Sequence, residues 1–147
     1  MKNYALGNIM RISRCCNTYR KEQLKDVDLT PAQYIFISYA CRKPGSSQEQ
    51  FVSAISIDKT TVAHRLNKLE EMGYIERRVS AEDGRRRCIY PTEKALAIYP
   101  QIHSAYEYFT ENILEGLTEE DKAELTRLTN ILCQNAIQLT QETRSGG

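Results

Sequence analysis

An amphipathic helix pattern that is followed at once by a strand–turn–strand pattern constrains this chain more than any other feature. Residues 58–73 read DKTTVAHRLNKLEEMG and place Val62, Leu66 and Leu69 on one side of a helix. Residues 75–90 read IERRVSAEDGRRRCIY, in which alternating side chains and an Asp-Gly pair predict a β-hairpin. A helix buried on one side and a hairpin that follows it directly must therefore share one small core.

A second short amphipathic segment precedes this helix. It covers residues 47–54 and begins with SQEQ, which has the form of a capping box. Phe51, Val52 and Ile55 give it an apolar side, and Ile57-Asp58 separates it from the next helix. Two helices joined by such a short turn predict a helix–turn–helix unit.

The helix predicted over residues 59–72 also carries a polar stripe, distinct from its apolar one. The stripe presents hydroxyl, imidazole, guanidinium and ammonium groups on Thr61, His64, Arg65 and Lys68. Lys59 and Thr60 lie at the helix N-terminus, where free N–H groups favour phosphate. Such groups donate to phosphates and base edges in a DNA major groove, although a solvated polar face is the alternative interpretation.

Five arginines lie in the predicted hairpin, although the net charge of the whole chain is only +1. They are Arg77, Arg78 and the run 85–87. Crowded arginines repel one another and gain nothing from a hydrophobic core, so we interpret them as groups that meet an external polyanion. Arginines on a projecting hairpin loop can enter a narrow DNA minor groove. The alternative is a solvated loop whose charge is balanced by Glu82 and Asp83.

The remaining patterns predict a mainly α fold with this one small β-hairpin. We expect helices over about residues 3–25, 31–42, 47–54 and 59–72, from a Thr92 cap to about 115, and over 119–141, with strands at 75–79 and 87–90. Pro100 should kink or break the fifth helix, and the terminal ETRSGG should be a frayed tail.

Composition limits the remaining classes of protein. The 147 residues suit one subunit, 1–147, and contain no apolar run long enough for a membrane span. Arg11 and Arg14 interrupt the N-terminal segment, so we expect no signal peptide and a cytoplasmic location. Five cysteines without a CxxC motif suggest reduced thiols. Two histidines are too few for a Cys/His zinc cluster, so we expect no metal.

Charge is unevenly distributed along the chain. Residues 1–57 have a net charge of +4, residues 58–92 of +2, and residues 93–147 of −5. The acidic C-terminal third therefore conceals the basic character of the remainder.

Apolar stripes near both ends of the chain indicate a partner surface. The last predicted helix has leucines at 125, 128, 132 and 139, and the first has its own apolar side that includes Leu6, Ile9 and Met10. Two terminal helices of this kind, which flank a compact central unit, need an apolar surface to cover them. A dimer would also place two helix–turn–helix units about one DNA turn apart.

The central stretch resembles the MarR family of winged helix–turn–helix repressors. DKTTVAHRLNKLEEMGYIERRVSAEDGRRRCIYPTEKA is similar to that family's recognition helix, "LExxGxIxR" segment, "DxR" wing tip and "LTxxG" restart, and LTPAQYIFI resembles its second-helix opening. Pro91 and Ala95 depart from the family's Leu and Gly. The resemblance implies a homodimer, with a DNA-binding lobe over residues 30–92 and dimerisation helices over 1–29 and 93–147.

By this resemblance the protein would be a sequence-specific regulator that binds a pseudo-palindromic double-stranded DNA operator. It would be a repressor released by a small aromatic or anionic effector, with no cofactor, no metal and no catalytic residue. Arg85 would enter the minor groove, and Asp83 would orient nearby arginines. The expected DNA-binding residues are Ser47, Lys59, Thr60, Thr61, His64, Arg65, Lys68, Asp83, Arg85, Arg86 and Arg87. No effector-binding residue is assigned; His103 could line a pocket, but a satisfied interface histidine is the favoured interpretation.

Other functions remain open on the sequence. A thiol-based redox regulator of the same fold is one alternative, because Cys15-Cys16 lies in the first helix, although Cys16 lies on its apolar side. A winged helix used only for protein contacts is another, and steep salt dependence of DNA binding would distinguish it. An enzyme is not expected, because the sequence has no P-loop, GxSxG or HExxH motif.

Overall fold

The computed structural model describes residues 4–146, which form six helices and one β-hairpin. In chain order the elements are α1 (Ala5–Gln23), α2 (Pro31–Arg42), α3 (Gln48–Ile55), α4 (Lys59–Glu71), β1 (Ile75–Val79), β2 (Arg87–Pro91), α5 (Glu93–Ile113) and α6 (Glu119–Ser145). The mainly α fold with a single hairpin is thus confirmed.

Side-chain caps fix where the helices begin. Asp58 accepts a hydrogen bond from the backbone N–H of Thr61 at 2.8 Å and so starts α4. Ser47 and Gln50 form the capping box of α3, and Thr118 and Asp121 form that of α6. Each of these short polar residues satisfies backbone groups that a helix end otherwise leaves unpaired.

One apolar core joins α2, α3, α4 and the hairpin. Phe36 and Phe51 stack with ring centroids 6.0 Å apart, and both are fully buried. The predicted stripe of α4 is confirmed, since Val62, Leu66 and Leu69 are fully buried. This core holds α4 against α3 and leaves the opposite face of α4 to solvent.

The hairpin pairs β1 with β2 in antiparallel register, with Arg77 opposite Ile89 and Val79 opposite Arg87. Ser80 and Arg86 extend the pairing by one backbone hydrogen bond of 2.7 Å. The segment between α2 and α3 holds the other side of β2, where Gly45 donates to the Ile89 carbonyl at 2.9 Å. Because this segment is part of the core, the base of the hairpin is fixed.

Two compact units divide the chain after Phe109. The first holds α1 to α4, the hairpin and most of α5; the second holds the end of α5 and α6. No residue of α1 or α6 is buried within the described part of the chain. The division at residues 30 and 92 into a DNA-binding lobe and dimerisation helices stays a prediction.

Two predictions about the last helices differ from the structure. Pro100 does not break α5, which continues from Glu93 to Ile113, while a kink at Pro100 stays a prediction. Residues 142–145 of the expected frayed tail at 142–147 are helical, because α6 runs to Ser145 and Gln138 donates to the Glu142 carboxylate at 2.9 Å one turn further on; Gly147 lies outside the described residues. Neighbouring turns thus stabilise a terminus whose residues look like a tail when taken alone.

Residues 4–146 contain neither a membrane-spanning helix nor a group of side chains that could hold a metal ion. No helix there is long and apolar enough to cross a membrane. No group of three His, Cys, Asp or Glu side chains lies together in that range in a way that could hold a metal ion.

Candidate nucleic-acid interface

The second helix of the helix–turn–helix unit presents its polar stripe to solvent. α3 ends at Ile55, its C-cap Ser56 adopts a left-handed conformation with φ of 59°, and α4 begins at Lys59. Lys59, Thr60, His64 and Lys68 are exposed. The Lys68 ammonium lies 4.0 Å from the exposed Glu71 carboxylate. An ion pair of this length in solvent does not immobilise the Lys68 side chain.

Two other residues of the predicted stripe are partly engaged within the fold. The Thr61 hydroxyl donates to the Asp58 carboxylate at 2.7 Å, and that carboxylate also caps the helix. The Arg65 guanidinium lies 5.9 Å from the centroid of the Phe36 ring, within range of a cation–π contact. Arg65 is half-buried, so part of its side chain remains at the surface.

Ser47 differs from the other ten predicted DNA-binding residues, because it is only 3% exposed. Its hydroxyl lies 3.3 Å from both the backbone nitrogen and the side-chain oxygen of Gln50. Ser47 therefore serves as the cap of α3, and we do not propose it as a DNA contact.

The tip of the hairpin carries three exposed arginines at positions 85–87. Within residues 4–146, no ion pair is formed by any of these three guanidinium groups. The Asp83 carboxylate accepts a hydrogen bond from the backbone N–H of Arg85 at 3.1 Å, and the Arg86 N–H donates to the Asp83 carbonyl at 3.0 Å. Asp83 thus orders the backbone of the turn from which the arginines project.

The two upstream arginines have a different role from the one that the sequence suggested. Arg77 binds Glu70 and Asn67 of α4, at 2.9 and 3.0 Å. Arg78 pairs with Glu76, and its guanidinium lies 4.5 Å from the centroid of the Tyr90 ring. Only three of the five arginines are therefore free to meet an external anion.

A second candidate site lies on the first compact unit, in a cleft of about 250 Å³ between α1, α2 and α5. Its polar lining includes Arg20, Arg42, His103 and Glu107. The sequence favoured His103 as a satisfied interface histidine over a pocket residue, but the structure places it in the lining of this cleft. Three side chains that can carry positive charge against one carboxylate make the cleft suited to an anion.

Arg20 is the residue of this cleft that sequence reasoning missed. Its guanidinium lies 4.9 Å from the Tyr34 ring centroid and 5.6 Å from that of Tyr106. In the described part of the chain, the buried Arg20 Nε and the buried Tyr34 hydroxyl have no hydrogen-bond partner. Burial raises the pKa of Tyr34, and the Arg20 charge opposes that rise, so Tyr34 is a neutral donor at physiological pH.

The five cysteines differ in exposure. Cys15 and Cys133 are exposed, Cys16 and Cys41 are half-buried, and Cys88 is buried. Burial raises the pKa of the Cys41 thiol to about 11, which keeps it in the unreactive protonated form at neutral pH.

A helix–turn–helix unit followed by a projecting basic hairpin defines the class of winged helix–turn–helix proteins, in which α4 is the recognition helix and the hairpin is the wing. The MarR family model matches residues 27–86. The uncharacterized HTH-type transcriptional regulator YybA of Bacillus subtilis (strain 168) is 32% identical over 133 residues, 90% of this chain and 89% of YybA. The HTH-type transcriptional regulator BilQ of Clostridium symbiosum is 30% identical over 74% of this chain and 75% of BilQ.

The fold is also similar to that of a solved MarR family protein. The putative MarR family regulator from Listeria monocytogenes, complexed with a 26mer DNA, has a TM-score of 0.89 and 27% identity. The superposition covers 100% of this chain and 97% of that protein. The chain belongs to the MarR family of transcriptional regulators.

Proposed function

We propose that this protein is a homodimeric transcriptional repressor that binds a pseudo-palindromic operator in double-stranded DNA. The observation that carries the proposal is the pairing, on one compact unit, of an exposed polar face on α4 with three exposed arginines at the wing tip. The helix face has the size and chemistry for a major groove, and the wing for an adjacent minor groove. The Listeria monocytogenes relative in complex with DNA supports this assignment.

Dimerisation is proposed because α1 and α6 each have an apolar side and no buried residue in the described chain. On α6 the side chains of Leu125, Leu128 and Leu132 are 43%, 46% and 47% exposed. Apolar stripes of this length are not left in water by a stable monomer. A second copy of the chain would cover them and double the number of DNA contacts.

We expect the purified protein to select an inverted repeat from a pool of randomised DNA duplexes. A two-fold dimer requires two half-sites separated by about one helical turn, roughly 10 base pairs. The measurement is sequencing of the bound pool over successive rounds, with single-stranded DNA of the same composition as the control. A pool that stays unenriched in the low-salt buffer where contacts to phosphates are strongest would refute the proposed function.

We further propose that an anionic aromatic effector binds in the cleft beside Arg20 and releases the DNA. Within residues 4–146 the Arg20 Nε is a donor without an acceptor, and a carboxylate in the cleft would supply one. The Tyr106 ring lines the cleft beside the same guanidinium and offers apolar surface to an aromatic ligand.

Replacing Arg20 by methionine should remove the response to such an anion and leave DNA affinity within about twofold of the wild type. Methionine keeps the apolar stem of the side chain and removes its charge. The measurement is release of the selected duplex by 4-hydroxybenzoate at millimolar concentration, followed by fluorescence anisotropy. Lys21→Met, on the exposed neighbour, is the control. Release from the Arg20→Met variant at wild-type concentrations would show that the anion binds elsewhere.

A further inference from the structure

The wing leaves the recognition helix through a short connection that turns at a glycine. Only residues 72–74 separate α4 from β1, and Gly73 adopts φ of 81°. The near end of this connection is held, because the Thr92 hydroxyl donates to the Gly73 carbonyl at 2.6 Å. That contact and the backbone hydrogen bonds that join Gly45 and Ser46 to Ile89 hold the base of the hairpin, but they involve no side chain of α4.

Arg77 adds a side-chain contact between β1 and α4. One terminal nitrogen of its guanidinium donates to the Glu70 carboxylate at 2.9 Å, and the other donates to the Asn67 side-chain oxygen at 3.0 Å. Glu70 and Asn67 are three residues apart and therefore lie on the same face of α4. The planar fork of an arginine can span two such acceptors, which a lysine cannot do.

The surroundings of Arg77 separate it from an arginine that contacts DNA. Its side chain is 12% exposed, whereas that of its neighbour Arg78 is 60% exposed. Its cross-strand partner is Ile89, which belongs to the core. Both terminal nitrogens bind acceptors on α4, so the guanidinium is held against the helix and does not project into solvent.

We propose that Arg77 and Glu70 are positioning residues whose ion pair sets the angle between the recognition helix and the wing. This proposal rests on the proposed function, because that angle determines whether the arginines at 85–87 reach one groove while α4 lies in the next. The pair couples two DNA-contacting elements and need not touch the DNA itself.

Glu70→Ala gives the sharpest test, because two explanations predict opposite changes in the affinity for DNA. Removal of a carboxylate from a DNA-facing helix would, by charge alone, tighten binding to a polyanion. Loss of the Arg77–Glu70 ion pair predicts the reverse, a binding to the selected duplex that is at least about threefold weaker. The reason is that a recognition element tolerates an angular error of only about 10–20°. Glu70 is partly exposed and alanine favours helices, so the variant should fold.

Glu71→Ala is the matched control, because Glu71 is the next residue of α4 and pairs only weakly with Lys68. It should bind the duplex as tightly as the wild type or slightly more tightly. A Glu70→Ala variant that behaves in the same way, measured by anisotropy in parallel, would overturn the proposal.

Arg77→Gln provides an independent measurement. We expect affinity to fall about tenfold while the slope of log Kd against log salt concentration stays unchanged, because no phosphate contact is lost. Arg78→Gln makes the same charge change one residue away and should have a smaller effect. A slope that becomes shallower by about one unit in Arg77→Gln would instead assign Arg77 a phosphate contact and refute the positioning role.

These results separate the proposal from the function on which it rests. A wild-type protein that selects no duplex would refute the function itself. A wild-type protein that binds its duplex, together with Glu70 and Arg77 variants that bind equally well, would refute only the positioning role of the Arg77–Glu70 pair.

Discussion

Leu128→Asp is expected to leave little folded protein at micromolar concentration. Leu128 lies in the middle of the apolar stripe of α6, with Leu125 and Leu132 one turn to either side. In a dimer that buries this stripe, the new carboxylate would lose its hydration without a cationic partner, at a cost of several kcal/mol. Two-fold symmetry applies that cost twice in each dimer.

Sedimentation equilibrium and thermal unfolding by circular dichroism measure this effect together. Asn130→Asp is the matched control, because it adds the same charge to α6 about 200° around the helix from position 128. The control should remain a dimer with a melting temperature near that of the wild type. A Leu128→Asp variant that sediments as a stable, helical monomer would show that α6 does not need a partner.

Replacing Arg85, Arg86 and Arg87 together by alanine is expected to weaken binding to the selected duplex by more than about 3 kcal/mol, because one good groove contact contributes about 1–3 kcal/mol. Within residues 4–146 these guanidinium groups form no ion pair, so the fold loses no such pair when they are removed. The salt slope should also become shallower by at least about one unit. Anisotropy titrations at several salt concentrations measure both quantities.

A triple alanine variant of Lys122, Arg127 and Arg144 is the control, since it removes the same charge from α6. Two of these residues already pair with Glu119 and Glu124, respectively. It should change affinity far less than the wing variant, because long-range attraction between exposed charges is screened beyond about 10 Å. Equal losses in the two variants would mean that net charge, and not the wing tip, determines binding.

Much of the fold could be predicted because local signals agreed with one another. Asp58 as a cap, Val62 and Leu66 as a buried stripe, and the Asp83-Gly84 turn each indicated the element in which the structure places them. The periodicity of apolar residues reports burial directly, since a helix or strand with one apolar side has only one way to cover it.

The partners of charged side chains could not be predicted in the same way. Arg77 and Arg85 look alike in the sequence, yet Arg77 binds Glu70 and Asn67 while Arg85 projects into solvent. The contact of Arg20 with Tyr34 and Tyr106 joins three helices and leaves no periodic signal. Such pairs depend on how elements pack, which the spacing of residues along one element does not encode.

Hydroxyl-radical footprinting of the wild-type protein on its selected duplex tests the central claim most directly. If paired subunits hold α4 and the wing in fixed register, the cleavage pattern should be two-fold symmetric. Two protected segments should lie about one helical turn apart, with minor-groove protection outside each. Protection of a single unpaired segment, or uniform cleavage along the duplex in low-salt buffer, would contradict the account.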